Sequence, residues 1–245
     1  VSTPHVLDRP TPEPHRVERY APGETGVVDV YLPRGPAIGG LVLVHGGFWR
    51  ARYDRMHLRH LASALSGAGW RVALPEYRRV GDAGGGWPGS LNDIVAVAEA
   101  AGGMLGTRTL VLAGHSAGAH LAVLAAAAMP SPPTRVVSLA GVLDVRAAHE
   151  ARLSEGAVAA FLGTSEPSPR EIGVIDPMTT PLPSSDLSLV HGDRDADVPV
   201  GFSTRYGARD PRIRLDVVHG ADHYDLIDPL SKVYPRVLGA LGTAS

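Results

Sequence analysis

Apolar and polar positions fall in blocks along this chain. Short, densely apolar runs are separated by stretches with helical spacing or by clusters of glycine and proline. The apolar runs predict strands at 26–32, 40–44, 70–75, 109–113, 135–139, 187–191 and 212–219. Helical spacing predicts helices at 58–68, at 91–105 with Ser90 as N-cap, at 119–129 and at 229–241. The third of these is alanine-rich and apolar on every side, as a buried helix should be. Strands alternating with helices predict an α/β fold, a mostly parallel central sheet with helices on both faces.

Two segments lack this rhythm. Residues 1–22 are polar and proline-rich and read as an extended N-terminal arm on the surface, ahead of a single domain over 23–245. Residues 140–185 are irregular, with one short helix expected near 157–162, and read as a small cap or lid within that domain.

Composition narrows the function classes. The 23 basic and 25 acidic side chains nearly balance and form no basic stripe, so nucleic acid is not an expected partner. Cysteine is absent, which removes disulfides, thiolate nucleophiles and Cys-ligated zinc. No apolar run approaches the ~18 residues of a membrane span, and the first residues lack the build of a signal peptide. A soluble, cytoplasmic protein acting on a small molecule is the expectation. Of eleven histidines, none forms H-E-x-x-H. His57 and His60 read as surface residues without a third ligand, and His120 as packing, so neither metal nor cofactor is expected.

The chemistry concentrates in loops after strands. Gly114-His115-Ser116-Ala117-Gly118 follows an apolar strand and precedes the buried helix. It matches G-x-S-x-G, a sharp strand-to-helix turn that lifts a serine hydroxyl clear of the sheet. A serine needs a base, and the base needs a third group to fix its tautomer. Two later loops supply them. His191-Gly192-Asp193-Arg194-Asp195-Ala196-Asp197 offers three aspartates, Asp193, Asp195 and Asp197, that compete for the acid role. His219-Gly220-Ala221-Asp222-His223 offers His223 as the base, with His219 in a structural role. The loop His45-Gly46-Gly47-Phe48-Trp49 would add backbone N–H donors for a developing oxyanion, each worth about 3–4 kcal/mol. Gly47 and Phe48, with Ala117 from the elbow, are the assigned donors; Gly46 is the alternative, and His45 braces the loop.

These motifs resemble the α/β-hydrolase kynurenine formamidases (arylformamidases) and their esterase relatives. The likeness lies in His45–Trp49, in Gly114–Ala122, in the acid loop ending Val198-Pro199, in Gly220-x-x-His223 and in Gly141–Val145. It implies an α/β-hydrolase fold and a Ser116–His223–Asp195 triad, the motif's spacing favouring Asp195 as the acid ahead of Asp197 and Asp193. It further implies cleavage of N-formyl-L-kynurenine to L-kynurenine and formate in tryptophan catabolism. Trp49, Tyr53 and Trp87, with Phe48, are then candidates for an aromatic wall. Arg50, Arg52, Arg78 or Arg79 would meet a substrate carboxylate. Two other readings stand beside this one: a carboxylesterase for small acyl esters, and a non-catalytic ligand-binding protein on the same scaffold.

Overall fold

The computed structural model describes residues 4–242. Its centre is one eight-stranded sheet in the order β1-β2-β4-β3-β5-β6-β7-β8. The strands are β1 (Arg16–Arg19), β2 (Val27–Tyr31), β3 (Gly39–Val44), β4 (Trp70–Pro75), β5 (Leu110–His115), β6 (Arg135–Leu139), β7 (Asp186–Gly192) and β8 (Arg214–Val218). β1–β2 and β2–β4 pair antiparallel, and every other pair is parallel. The helices are α1 (Arg59–Gly67), α2 (Gly89–Leu105), α3 (Ala117–Ala128), α4 (Val145–Glu150), α5 (Leu153–Leu162), α6 (Pro169–Ile175), α7 (Gly201–Gly207) and α8 (Tyr234–Leu241).

The central strands read as continuous apolar runs because both of their faces are buried. In β3, Val42 and Val44 enter a core with Leu91 and Ile94 of α2, Leu121 of α3 and Tyr206 of α7. Leu41 and Leu43 point the other way, into a core with Leu61 and Leu65 of α1 and Val237 of α8. The 3.6-residue and two-residue periods therefore meet at one sheet with two cores.

Several expectations change. The second half of the surface arm is strand β1, a charged edge strand whose Val17 is exposed, so it carries no apolar signal. Ser90 is not an N-cap: the helix begins at Gly89, and the Ser90 hydroxyl donates to the Arg78 carbonyl at 2.5 Å. The 140–185 stretch holds three helices, not one. α4 is capped by Asp144, whose side chain accepts from Ala147 N–H. α6 opens with a Ser168–Glu171 capping box and Pro169. That Ser-Pro-x-Glu pattern is a helix-start signal the sequence does carry. Among the described residues, no helix is long and apolar enough to cross a membrane.

Candidate active site

The sheet register sets the loops side by side. Val44 of β3 pairs with Gly114 of β5, so the His45–Trp49 loop and the serine elbow leave adjacent strands at the same level. This is where the strand order reverses, at the carboxyl ends, the place where open α/β sheets bind ligands. Gly192 of β7 pairs with Val218 of β8, which likewise starts the Asp195 and His223 loops together.

The elbow is strained and close-packed. Ser116 has φ 57° and ψ −122°, a conformation that costs a non-glycine residue about 1–3 kcal/mol. It is held by Ser116 N–H to Leu139 O at 2.8 Å and by Val142 N–H to Ser116 O at 3.3 Å. The two motif glycines are there for approach distance. A Cβ on Gly114 would lie 2.3 Å from Gly118 O, and one on Gly118 would lie 2.3 Å from Val44 O.

Asp195 and His223 form a tight pair, with His223 Nδ1 donating to Asp195 Oδ2 at 2.6 Å. The other carboxylate oxygen accepts Asp197 N–H at 2.9 Å and Val198 N–H at 2.7 Å. His191 Nε2 lies 3.2 Å from Oδ2 as well. Burial alone would push the Asp195 carboxyl up. The hydrogen bonds from His191 and His223 outweigh it and hold the group below the usual carboxylate range. With Nδ1 committed as a donor to Asp195, Nε2 is the ring nitrogen left to take a proton. The Ser116 hydroxyl makes no hydrogen bond to that nitrogen here. Such contacts commonly tighten only when substrate is bound.

The two other aspartates of this loop have different partners. Asp193 accepts from His219 Nδ1 at 2.7 Å and from Gly220 N–H at 2.7 Å, and so braces the base loop at the surface. The Asp197 carboxylate lies within 4.8 Å of ligand atoms on Asp195 and His223 but forms no hydrogen bond with either.

In the glycine loop, Gly47, Phe48 and Trp49 all have positive φ, at 103°, 50° and 59°. The turn is tied by Arg50 N–H to Gly47 O at 3.0 Å and by Val80 N–H to Trp49 O at 2.7 Å. The N–H groups of Gly47, Phe48 and Ala117 find no acceptor among the described residues, and Gly46 N–H is likewise unpaired. His45 braces this loop from below. Its Nε2 meets Glu76 Oε1 at 2.7 Å, its Nδ1 sits 2.8 Å from Gly46 O, and its ring stacks on Tyr77 at 4.4 Å. Burial would raise the Glu76 carboxyl, but His45 and Arg79 overcome it and bring it down to about 2.

Glu76 is a residue the sequence reading missed, and it leads to a testable expectation. A carboxyl depressed on folding adds stability that is fully present above its ordinary value of 4.5 and is lost as pH falls toward about 2. Glu76→Gln should therefore cost about 2–3 kcal/mol at pH 7 in denaturant melts and flatten the acid limb of stability between those pH values. An unchanged acid limb would show that the ion pairs of Glu76 do not matter to folding.

The expected substrate wall loses one of its members to the core. Trp49 is only 1% exposed and stacks on Phe161 at 4.7 Å, so it is core. Trp87 is half-buried, its edge toward Phe161. Tyr53 stays exposed, and a Cβ on Gly47 would strike it, so it stands beside the glycine loop. The candidate arginines are engaged. Arg78 is bidentate to Asp93, and Arg79 binds Glu76 and Asp82. Arg50 donates to Ser154 O, and Arg52 to the Tyr53 hydroxyl. His57 is not a free surface histidine: its ring meets His45 edge-on at 5.6 Å, and burial lowers its pKa to about 4. His120 Nε2 donates to Ile175 O at 2.8 Å, tying the end of α6 to the elbow helix.

No functionally curated protein matches the chain in sequence. Solved structures do match. A truncated carbohydrate esterase from gut microbiota is 21% identical, with a TM-score of 0.68, covering 84% of this chain and 87% of that one. Esterase B from Lactobacillus rhamnosis is 18% identical, with a TM-score of 0.70, covering 93% and 84%. The butyrate-bound esterase Est2 from the planctomycete Thermogutta terrifontis is 19% identical, with a TM-score of 0.69, covering 91% and 90%. These likenesses establish the α/β-hydrolase fold. The resemblance to kynurenine formamidases is thereby held to the level of the fold, with no support for that substrate. The BD-FAE family model matches residues 28–208, about three quarters of the chain, and the protein belongs to the BD-FAE family.

Proposed function

We propose that this protein is a serine carboxylesterase for small acyl esters. The observation that carries the reading is the Asp195–His223 hydrogen bond of 2.6 Å, set on the loop beside a strained serine elbow. Family membership and an esterase solved with butyrate support the same direction.

In this reading Ser116 Oγ attacks the ester carbonyl carbon as His223 Nε2 takes its proton. The oxyanion is met by N–H groups of Gly47, Phe48 and Ala117. The ester C–O bond then breaks, and His223 returns the proton to the departing alkoxide. Water attacks the acyl-serine with His223 again as base, releasing the acid. Asp195 keeps the imidazole in the right tautomer and stabilises its charged form.

The formamide reading calls for an aromatic wall for an arylamine, and one of its four candidates, Trp49, lies in the core. Steady-state kinetics with p-nitrophenyl acetate and butyrate against N-formylkynurenine test the choice. The esters should show the higher kcat/KM by at least about tenfold, the scale of a modest pocket difference. The opposite order would replace the ester by the formamide. No turnover of either, with no covalent labelling of Ser116 by a fluorophosphonate, would leave a non-catalytic binding protein.

A further inference from the structure

We propose that His115, the residue between the first glycine and the serine of the elbow, is a positioning residue that pins the backbone of His223. Its kinetic consequence rests on the serine-esterase reading above; its geometric claim does not.

His115 ends β5 and is 2% exposed. Its Nε2 lies 3.0 Å from the carbonyl oxygen of His223. A carbonyl only accepts, so the proton sits on Nε2 and the tautomer is fixed. Nδ1 is then a bare acceptor, buried, with no partner among the described residues. An apolar side chain at this place would avoid that cost, so the imidazole is there for its one donor. Burial, then the neighbouring His223 and His57, hold its pKa well below the ordinary value, which keeps the ring neutral beside the candidate base.

One ring thus links three parts of the site. It precedes Ser116 in the chain. Its centroid lies 4.4 Å from that of His223, tilted by 48°. It also abuts the glycine loop, since a Cβ on Gly46 would fall 3.3 Å from His115 Nδ1 and 2.8 Å from Ser116 Cβ. Asp195 grips His223 at the ring nitrogen Nδ1. His115 grips the same residue at its carbonyl, and among the described residues no other donor does so. With one grip the imidazole can pivot about the Asp195 bond, and Nε2 moves relative to the serine. With two it cannot. A displacement of about 1 Å at a reacting group costs about 100-fold in rate.

Two variants separate the donor from the ring. His115→Phe keeps an aromatic ring and loses the N–H. His115→Gln loses the ring but carries an N–H donor the same number of bonds from Cβ. Two readouts apply: kcat and KM with p-nitrophenyl acetate, and the downfield proton NMR signal of His223 Nδ1–H bonded to Asp195, which needs no substrate. In His115→Phe, kcat should fall about 10- to 100-fold with KM changed less than about threefold, and the downfield proton should broaden or vanish. His115→Gln should keep the proton and stay within about fivefold of the parent kcat. A folded Phe variant with parental kcat and proton signal overturns the proposal. So does a Gln variant that melts like the parent yet has lost the signal, and this arm decides the matter if the Phe variant does not fold. If the parent protein turns over no ester, the esterase reading fails and the proton signal alone judges His115.

Discussion

Replacing Ser116 by alanine should reduce ester hydrolysis by at least about 10⁴-fold while the protein keeps its fold. The loss is large because base and acid act only by activating the serine oxygen in this mechanism, and the oxyanion donors alone leave a small residual rate. The fold should survive because alanine retains the Cβ and the backbone bonds of the elbow run through Leu139 and Val142 rather than through the hydroxyl. Strain gives a second, independent reading. Ser116 sits at φ 57° and ψ −122°, where any Cβ is penalised. Ser116→Gly removes a penalty of about 1–3 kcal/mol and adds a glycine entropy cost of about 0.5–1 kcal/mol. It should therefore be as inactive as the alanine variant and melt higher than it. Residual esterase activity near the parental level in Ser116→Ala would remove the serine from the chemistry. A glycine variant that melts below the alanine variant would show that the elbow is not strained.

What the chain reveals as sequence, and what it hides, follows from where each signal originates. The buried strands are legible because both faces are covered, so their letters are mostly apolar: 70–75 and 135–139 match β4 and β6 residue for residue. The site loops are legible because each follows such a strand and carries residues that turns and catalysis both require. β1 is hidden because an edge strand of Arg16-Val17-Glu18-Arg19 has nothing to bury. α7 is hidden because seven residues give too short a window for periodicity. Trp49 misleads for a different reason. An aromatic beside a glycine pair looks like a binding wall, but positive φ at Phe48 and Trp49 carries the indole back onto Phe161. The charges beneath the site are hidden most deeply. Glu76 and His45 are 31 residues apart and become partners only when β3 and β4 lie side by side. His191 is visible as a strand-end histidine, yet its approach to Asp195 depends on a loop that doubles back so that Val198 O also meets its Nε2, at 2.9 Å.

That same doubling back makes the choice among the three aspartates testable. Asp195→Asn should lower kcat/KM by about 10⁴-fold, and Asp197→Asn should leave it within about threefold. The reason is the nature of the partners. Oδ1 of Asp195 receives the N–H groups of Asp197 and Val198, and Oδ2 receives His223 Nδ1 and faces His191 Nε2. Every one of these partners is a donor. An asparagine must turn its NH₂ toward one pair or the other, and in both orientations a donor meets a donor. Facing the backbone, it opens the loop that carries the side chain. Facing His223, it forces the proton onto Nε2, and the base can no longer accept from serine. The variant should also lose about 1–3 kcal/mol of stability, because whichever donors it displaces are left without an acceptor. Asp197 touches this arrangement through its backbone N–H, which asparagine retains. Equal or greater damage from Asp197→Asn would move the acid role to that residue. It would also mean that the bond seen between Asp195 and His223 is not the one that serves catalysis.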